Sequence, residues 1–295
     1  MVDGIESGPP PYKGAIIIHT IKTDAGRLTI LLDLVSSSTI LGMLRSEREL
    51  CEEDLAHCLR GVSTMSRPEQ DRAVWVMKSE KLRSWMLETS SSTLLLNGNS
   101  PTTTARSPMS FVCARLISTL KESKPFIVLH FFCGQHIAYE TDENASPLGM
   151  MNSLLAQLLM QHSNFEISSQ DLASISKNTI DDVLALFAKL VQQLPATSMV
   201  FCIVDGISLY QNGERLEDTK VVMDKLCEMI EGEKGAIFKA LFASATRTRY
   251  LPESLGTEDT LTVPRNVASQ TQFVSTKLAG RFESEVANFQ GQQID

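Results

Sequence analysis

The sequence has no apolar stretch approaching the roughly 20 residues that a membrane-spanning helix needs. Its most apolar runs, FIVLHFFC from Phe126 and MVFCIV from Met199, are the length of a strand. The amino-terminal MVDGIESGPPPYKG lacks the basic start and apolar centre of a secretory leader, and valine follows Met1 where myristoylation needs glycine. Export, a lipid anchor and contact with a membrane are therefore not expected. Charge of one sign is gathered nowhere: 27 Lys and Arg stand against 35 Asp and Glu, and the net charge of -8 is spread along the chain. That distribution excludes the basic face of a nucleic-acid binder. Paired cysteine spacings are also missing. Cys51, Cys58, Cys113, Cys133, Cys202 and Cys227 lie scattered, mostly inside apolar runs, where a thiol is a small hydrophobe. We read them as reduced thiols of an intracellular, cytoplasmic protein. Cys133 and His136 have a C-x-x-H spacing but no second pair to complete a zinc site. No H-E-x-x-H and no hydrolase-like Ser/His/Asp or Cys/His arrangement occurs.

What is present is enough for a substantial core. With 295 residues and 43% hydrophobic side chains, the chain can bury one large α/β core and a small appended domain. Residues 1–14, rich in Gly, Pro and Ser, read as a flexible start. Residues 15–72 read as an extension. Two β-branched runs about Asp24-Ala25-Gly26 suggest a hairpin, although the leucines of the second run fit a helix equally well. An amphipathic helix follows from Leu41 to Gly61, with Leu44, Leu55, Cys58 and Leu59 inward. One or two helices cross EQDRAVWVMKSEKLRSWMLE, where Trp75 and Trp85 read as packing anchors.

From residue 73 to 264 strands and helices alternate. Strands are expected at Thr93–Asn97, Phe126–Phe132, Met199–Val204, Phe238–Ala243 and Leu261–Val263. The helices between them start at Ser107-Pro108, at Pro147, at Thr179 with Asp182 three residues on, and near Thr219. Strands this apolar, separated by helices, imply a parallel sheet covered on both faces. Residues 265–295 read as a helix and a polar tail.

Three stretches could carry chemistry. LLLNGNSPTTTARSPMSF places Gly98 after a strand and Ser107 at a helix start, where a phosphate-binding loop would lie. The loop has no Lys and no internal glycine. Its only cation is Arg106, eight positions after Gly98, which is either a phosphate contact or a solvated loop residue. MVFCIVDGIS ends an apolar strand in Asp205, the position of a magnesium-shell aspartate, with no acid among the next five residues to orient water. Asp205 is either a metal ligand or a structural cap. FKALFASATRTRY ends a strand in Ser244 and Thr246 with Arg247 close behind, where a sensor of a terminal phosphate would stand.

In this order, WVMKSEKLRSWMLETSSSTLLLNGNS, SPMSFVCARLI, IVLHFFCGQH, MVFCIVDGISLY and FKALFAS resemble the fungal branch of NACHT-type proteins. These are nephrocystin-like relatives of the signal-transduction (STAND) P-loop NTPases, and the resemblance spans roughly Ala73 to Pro264. It implies an α/β, three-layer P-loop NTPase-like parallel sheet of order 5-1-4-3-2, with helices on both faces and a mostly helical N-terminal extension. It also implies ATP or ADP with Mg as ligands, at Gly98, Asn99, Arg106, Ser107, Asp205 and Arg247, with Asp205 toward the metal. Typical relatives carry Gly-Lys-Ser/Thr in the loop and Asp-Gly-x-Asp-Glu after the second strand motif. Here the Lys is missing, and Ser208 and Leu209 stand where the acids would be. The expectation is a degenerate, non-hydrolysing module with regulatory or protein-interaction roles and at most weak nucleotide binding, a monomer or weak dimer with protein partners. The alternative is an ATP-binding switch with slow turnover at an Arg-containing loop.

Overall fold

The computed structural model describes residues 17–23, 26–32, 34–44, 48–100, 107–122, 126–230 and 235–269, with side chains from Leu34 onward except those of Arg48 and Val62. β1 (Ile17–Thr23) and β2 (Gly26–Leu32) pair antiparallel with Thr23 opposite Gly26, so the first two β-branched runs form the hairpin and the second run is a strand. β3 (Leu34–Val35), α1 (Ser37–Leu44), α2 (Arg48–Arg60), α3 (Arg67–Met77) and α4 (Glu80–Leu87) follow. α3 begins where Ser66 and Glu69 make a reciprocal cap, and Pro68 occupies a first-turn position that needs no N–H.

The alternating region runs β4 (Ser92–Asn97), α5 (Pro108–Glu122), β5 (Ile127–Phe132), α6 (Pro147–Gln161), β6 (Ile167–Ser168), α7 (Ser169–Ile175), α8 (Ile180–Gln193), β7 (Met199–Asp205), α9 (Arg215–Glu228), β8 (Ile237–Ser244) and β9 (Thr260–Thr262). Two short elements, β6 and α7, were not expected. β6 pairs antiparallel with β3 and so ties the chain's early part to the core. α9 begins at Arg215, four residues before the expected start, with Glu217 and Asp218 complementing the partial positive charge of its first turn. The expected carboxyl-terminal tail lies beyond the described residues from 270 on.

Five strands form one all-parallel sheet in the order β5-β7-β8-β4-β9. Numbered by their sequence order within the sheet and read from the β9 edge, this is 5-1-4-3-2, as expected. Alternate side chains feed two cores. Val200, Cys202 and Val204 of β7 join α6, α8 and α9 on one face, and Met199, Phe201 and Ile203 join α3, α4 and α5 on the other. Trp85 sits edge-on to Phe201 at 5.8 Å, and Trp75 packs against the same cluster, so both act as the anchors expected. Among the described residues no helix is long and apolar enough to cross a membrane.

An edge strand of a buried parallel sheet needs partners for one row of backbone groups. Two amides of α6, one helical turn apart, supply them for β5. Gln157 accepts from His130 N at 3.0 Å and donates to His130 O at 2.8 Å, and Gln161 does the same for Val128 at 3.0 and 2.9 Å. Replacing Gln157 with Leu leaves both buried backbone groups without partners. We expect a loss of about 2–4 kcal/mol in urea unfolding, with a smaller loss for Gln161→Leu at the more exposed end.

Candidate functional site

The register of β8 with its neighbours sets Asn97 beside Ser244 and Asp205 beside Ala243. Gly98, Asp205 and Ser244 therefore converge on the carboxyl edge of the sheet, where ligands bind in open α/β folds. Local bonding fixes what each can do.

Gly98 donates its N–H to Ser244 O at 2.8 Å, and Ser100 donates to Ala245 O at 2.9 Å. A Cβ on Gly98 would stand 2.6 Å from Ala245 O, so glycine is required here for close approach to the end of β8. Asn99 takes the left-handed conformation at φ 51° and donates its amide to Val263 O at 3.1 Å. Arg72, which sequence reasoning did not single out, donates to Gly98 O at 2.8 Å and to Arg265 O at 2.7 Å. The first turn of the loop is thus held by protein groups. Arg106 lies outside the described residues. Arg247 is exposed, beyond the end of β8.

Ser107 is the helix cap expected of it, accepting from Ser110 N at 3.1 Å, while Ser110 Oγ accepts from Ser107 N at 3.2 Å. The hydroxyl that meets Asp205 is that of Ser110, one turn further on, which hydrogen-bonds to the carboxylate. No motif in the sequence singled out Ser110; its three-residue spacing from the cap, which turns it inward, was the available signal.

Asp205 is 2% exposed, and its Oδ1 has no hydrogen-bond partner among the described residues. Burial raises its pKa to about 6, against the opposing bonds from Ser110 and the Gly206 backbone. Gly206 follows at φ 76°, which explains the Asp-Gly pair as the turn that leaves the strand. Ser208, at the position of the first missing acid, meets the fully buried Ser244 hydroxyl at 2.6 Å. Beside α5, a cavity of about 50 Å³ is bounded by Cys58, Gly61, Met65, Glu69, Ser107 and Ser110. Ligand pockets usually enclose about 300–1,000 Å³. The Glu69 side chain there is used in capping α3, accepting from Ser66 N at 2.7 Å.

His136 was noted only as half of an incomplete zinc pair. Its ring bridges two carboxylates, Asp142 at 2.8 Å on Nδ1 and Asp54 of α2 at 2.9 Å on Nε2, and it stacks on Phe131 at 4.9 Å. Both ring nitrogens are occupied, and among the described residues no group of His, Cys, Asp and Glu is arranged to hold a metal. Burial opposes the imidazolium, but the hydrogen bonds to Asp54 and Asp142 prevail and the pKa lies above its usual value.

A folded-state pKa raised in this way contributes stability at pH below about 6.5, lost as pH rises through the folded value. The thermal midpoint should therefore decline through that window in the wild type. The decline should flatten in His136→Gln, followed by circular dichroism across a pH series.

The sequence matches the family described as Nephrocystin 3, N-terminal, over residues 71–244, more than half of the 295. No curated protein matches the chain. The matched span opens at Asp71 in α3 and closes at Ser244 at the end of β8, and so contains Gly98, Ser110, Asp205 and Ser208. On this match the chain belongs to the nephrocystin 3 N-terminal family.

Proposed function

We propose that the chain is a degenerate, non-hydrolysing P-loop module of the NACHT-like, signal-transduction type, retained for regulation or protein interaction. The observation that carries this reading is the Ser208–Ser244 hydroxyl pair at 2.6 Å. Hydrolysis needs a group there that orients or deprotonates water, and a neutral hydroxyl already bonded to a second hydroxyl does neither. The absence of Lys from the loop between Gly98 and Ser107 supports the same reading, because that loop lacks the residue that reaches the β- and γ-phosphates. An interaction role is supported by Ile137 and Tyr139, 53% and 57% exposed just beyond the carboxyl end of β5. Two large apolar side chains so close together in solvent favour a protein partner.

A second reading, an ATP-binding switch, is favoured by one feature. The unpartnered Oδ1 of Asp205 and the adjacent Ser110 hydroxyl are oxygen donors of the kind magnesium accepts. In that case Asp205 and Ser110 would hold the ion, Arg106 would stand in for the lysine, and the ion would neutralise phosphate charge.

Calorimetry with ATP and ADP, with and without magnesium, tests the two readings. The proposal expects no binding at millimolar nucleotide and no phosphate release. Micromolar binding that is lost in Arg106→Ala, or turnover abolished by Asp205→Ala, would establish the switch. Stability gives a second test. Since the raised pKa means the charged Asp205 costs the fold, Asp205→Asn should stabilise the protein at pH 7 by roughly 1–3 kcal/mol if no ion binds. If magnesium is held there, the wild type will gain stability from the ion and the variant will not.

A further inference from the structure

A cavity of about 360 Å³ lies between α1, the first turns of α6 and the α7–α8 connection. That is within the size range of specific ligand sites. Its shape depends on Gly149. A Cβ there would stand 2.6 Å from Asn144 Cα and 2.7 Å from Glu143 O, so only glycine lets the loop before α6 lie against the helix and bring Glu143 to the cavity wall.

The lining carries formal charge of one sign only, beside the neutral amides and hydroxyls of Asn144, Ser146, Ser176 and Asn178. Glu143 contributes an exposed carboxylate, and its described lining contains no Lys, Arg or His. Lys177, between two lining residues, is exposed and is not among them. Asn152 donates an amide N–H to Asn178 Oδ1 at 3.1 Å and leaves its own Oδ1 buried with no partner among the described residues. An unpaired buried carbonyl asks for a hydrogen-bond donor. Met43, Leu148 and Ile175 supply apolar wall beside these acceptors. A charged donor on a flexible hydrocarbon stem suits both halves of the lining, because the stem covers apolar surface while the head meets the exposed Glu143 carboxylate, with the Asn152 carbonyl dipole behind the wall.

We infer that this cavity is a binding site for a primary alkylammonium group, and that its natural source is a lysine side chain of a protein partner. The ammonium preference rests on the cavity alone. The choice of a protein-borne lysine rests on the interaction-module reading above.

The test is a titration of the ¹⁵N-labelled full chain, following the side-chain amide signals of Asn152 and Asn178. Three probes are compared: Nα-acetyl-lysine amide, its uncharged isostere Nα-acetyl-norleucine amide, and the free amine 1,5-diaminopentane. The expected result is a saturable shift of both signals with the lysine amide, at least about tenfold weaker with the norleucine amide. Glu143→Gln, an exposed position whose change does not disturb the core, should weaken binding about fivefold, and Asn152→Asp, followed on the Asn178 signal alone, should strengthen it. Equal response to the two amides, or no response of these signals to the lysine amide, overturns the ammonium site. Tighter binding of diaminopentane than of lysine amide overturns the protein source. Nucleotide calorimetry on the same sample reports separately on the function proposed above.

Discussion

The row of backbone carbonyls at the carboxyl end of β8 is the feature on which the candidate site depends. Ala243 O receives Gly206 N at 2.8 Å, Ser244 O receives Gly98 N at 2.8 Å, and Ala245 O receives Ser100 N at 2.9 Å. Three bonds from two loops therefore end on the last two residues of one strand and the residue that follows it. The loops after β4 and β7 are positioned by a strand that is central in the sheet and cannot itself move without disrupting both neighbours. The glycine after β4 is then explained by packing, since Ala245 O occupies the space a side chain would need. A glycine read from sequence as the start of a phosphate loop and a glycine needed for strand contact look alike until the partner carbonyl is seen.

The same distinction decides what was legible in the sequence. The five strands could be read because each is an apolar run of strand length, and the helix starts because Ser107, Thr179 and Pro147 carry local cap chemistry. The sheet order followed from family resemblance and not from any local pattern. The β5 edge was not legible: Gln157 and Gln161 look like ordinary polar positions on a helix whose leucines point inward, and their pairing partners lie 27 to 33 residues away. His136 was hidden for a similar reason, since Asp54 lies 82 residues before it. Long-range polar partners leave no periodic trace. Lys239 is a sharper case. It is fully buried on the strand face shared with Leu241 and Ala243, and its ammonium donates to Ser92 Oγ at 2.9 Å. Burial lowers its pKa to about 8, against the pull of Glu88. Nothing in the apolar run FKALFAS marks its lysine as one that both neighbouring strands and both faces of the sheet enclose.

Asp205 and Lys239 are opposite charges on neighbouring strands of one sheet, yet they do not compensate each other. Asp205 ends β7 at the carboxyl edge and Lys239 lies near the start of β8, so the length of the sheet separates them. Each pays its own desolvation cost, and the shifts run in the directions burial dictates for an acid and a base. A core optimised for stability alone would replace both with apolar groups. The retained Asp205 keeps its backbone turn through Gly206, but the turn needs only the glycine's conformation, so the carboxylate itself is unexplained by the fold.

The amino-terminal helices reach the same edge by three routes. Arg72 of α3 grips the carbonyl of Gly98, Glu69 borders the cavity at the start of α5, and Asp54 of α2 holds His136. The third link is ionic and largely enclosed, and it also fixes the turn that carries Ile137 and Tyr139, because His136 is bonded through its other nitrogen to Asp142 on the far side of that turn. Tyr210, in the loop after β7, adds a hydroxyl bond to His136 O at 2.9 Å. The exposed apolar pair is therefore mounted on a turn tied to α2, to β7's exit and to its own far end. A turn braced at three points loses little freedom when a partner binds, which lowers the entropic cost of docking. Deprotonating His136 would weaken two of those braces at once, so whatever engages the turn would feel the state of α2 through a single imidazole.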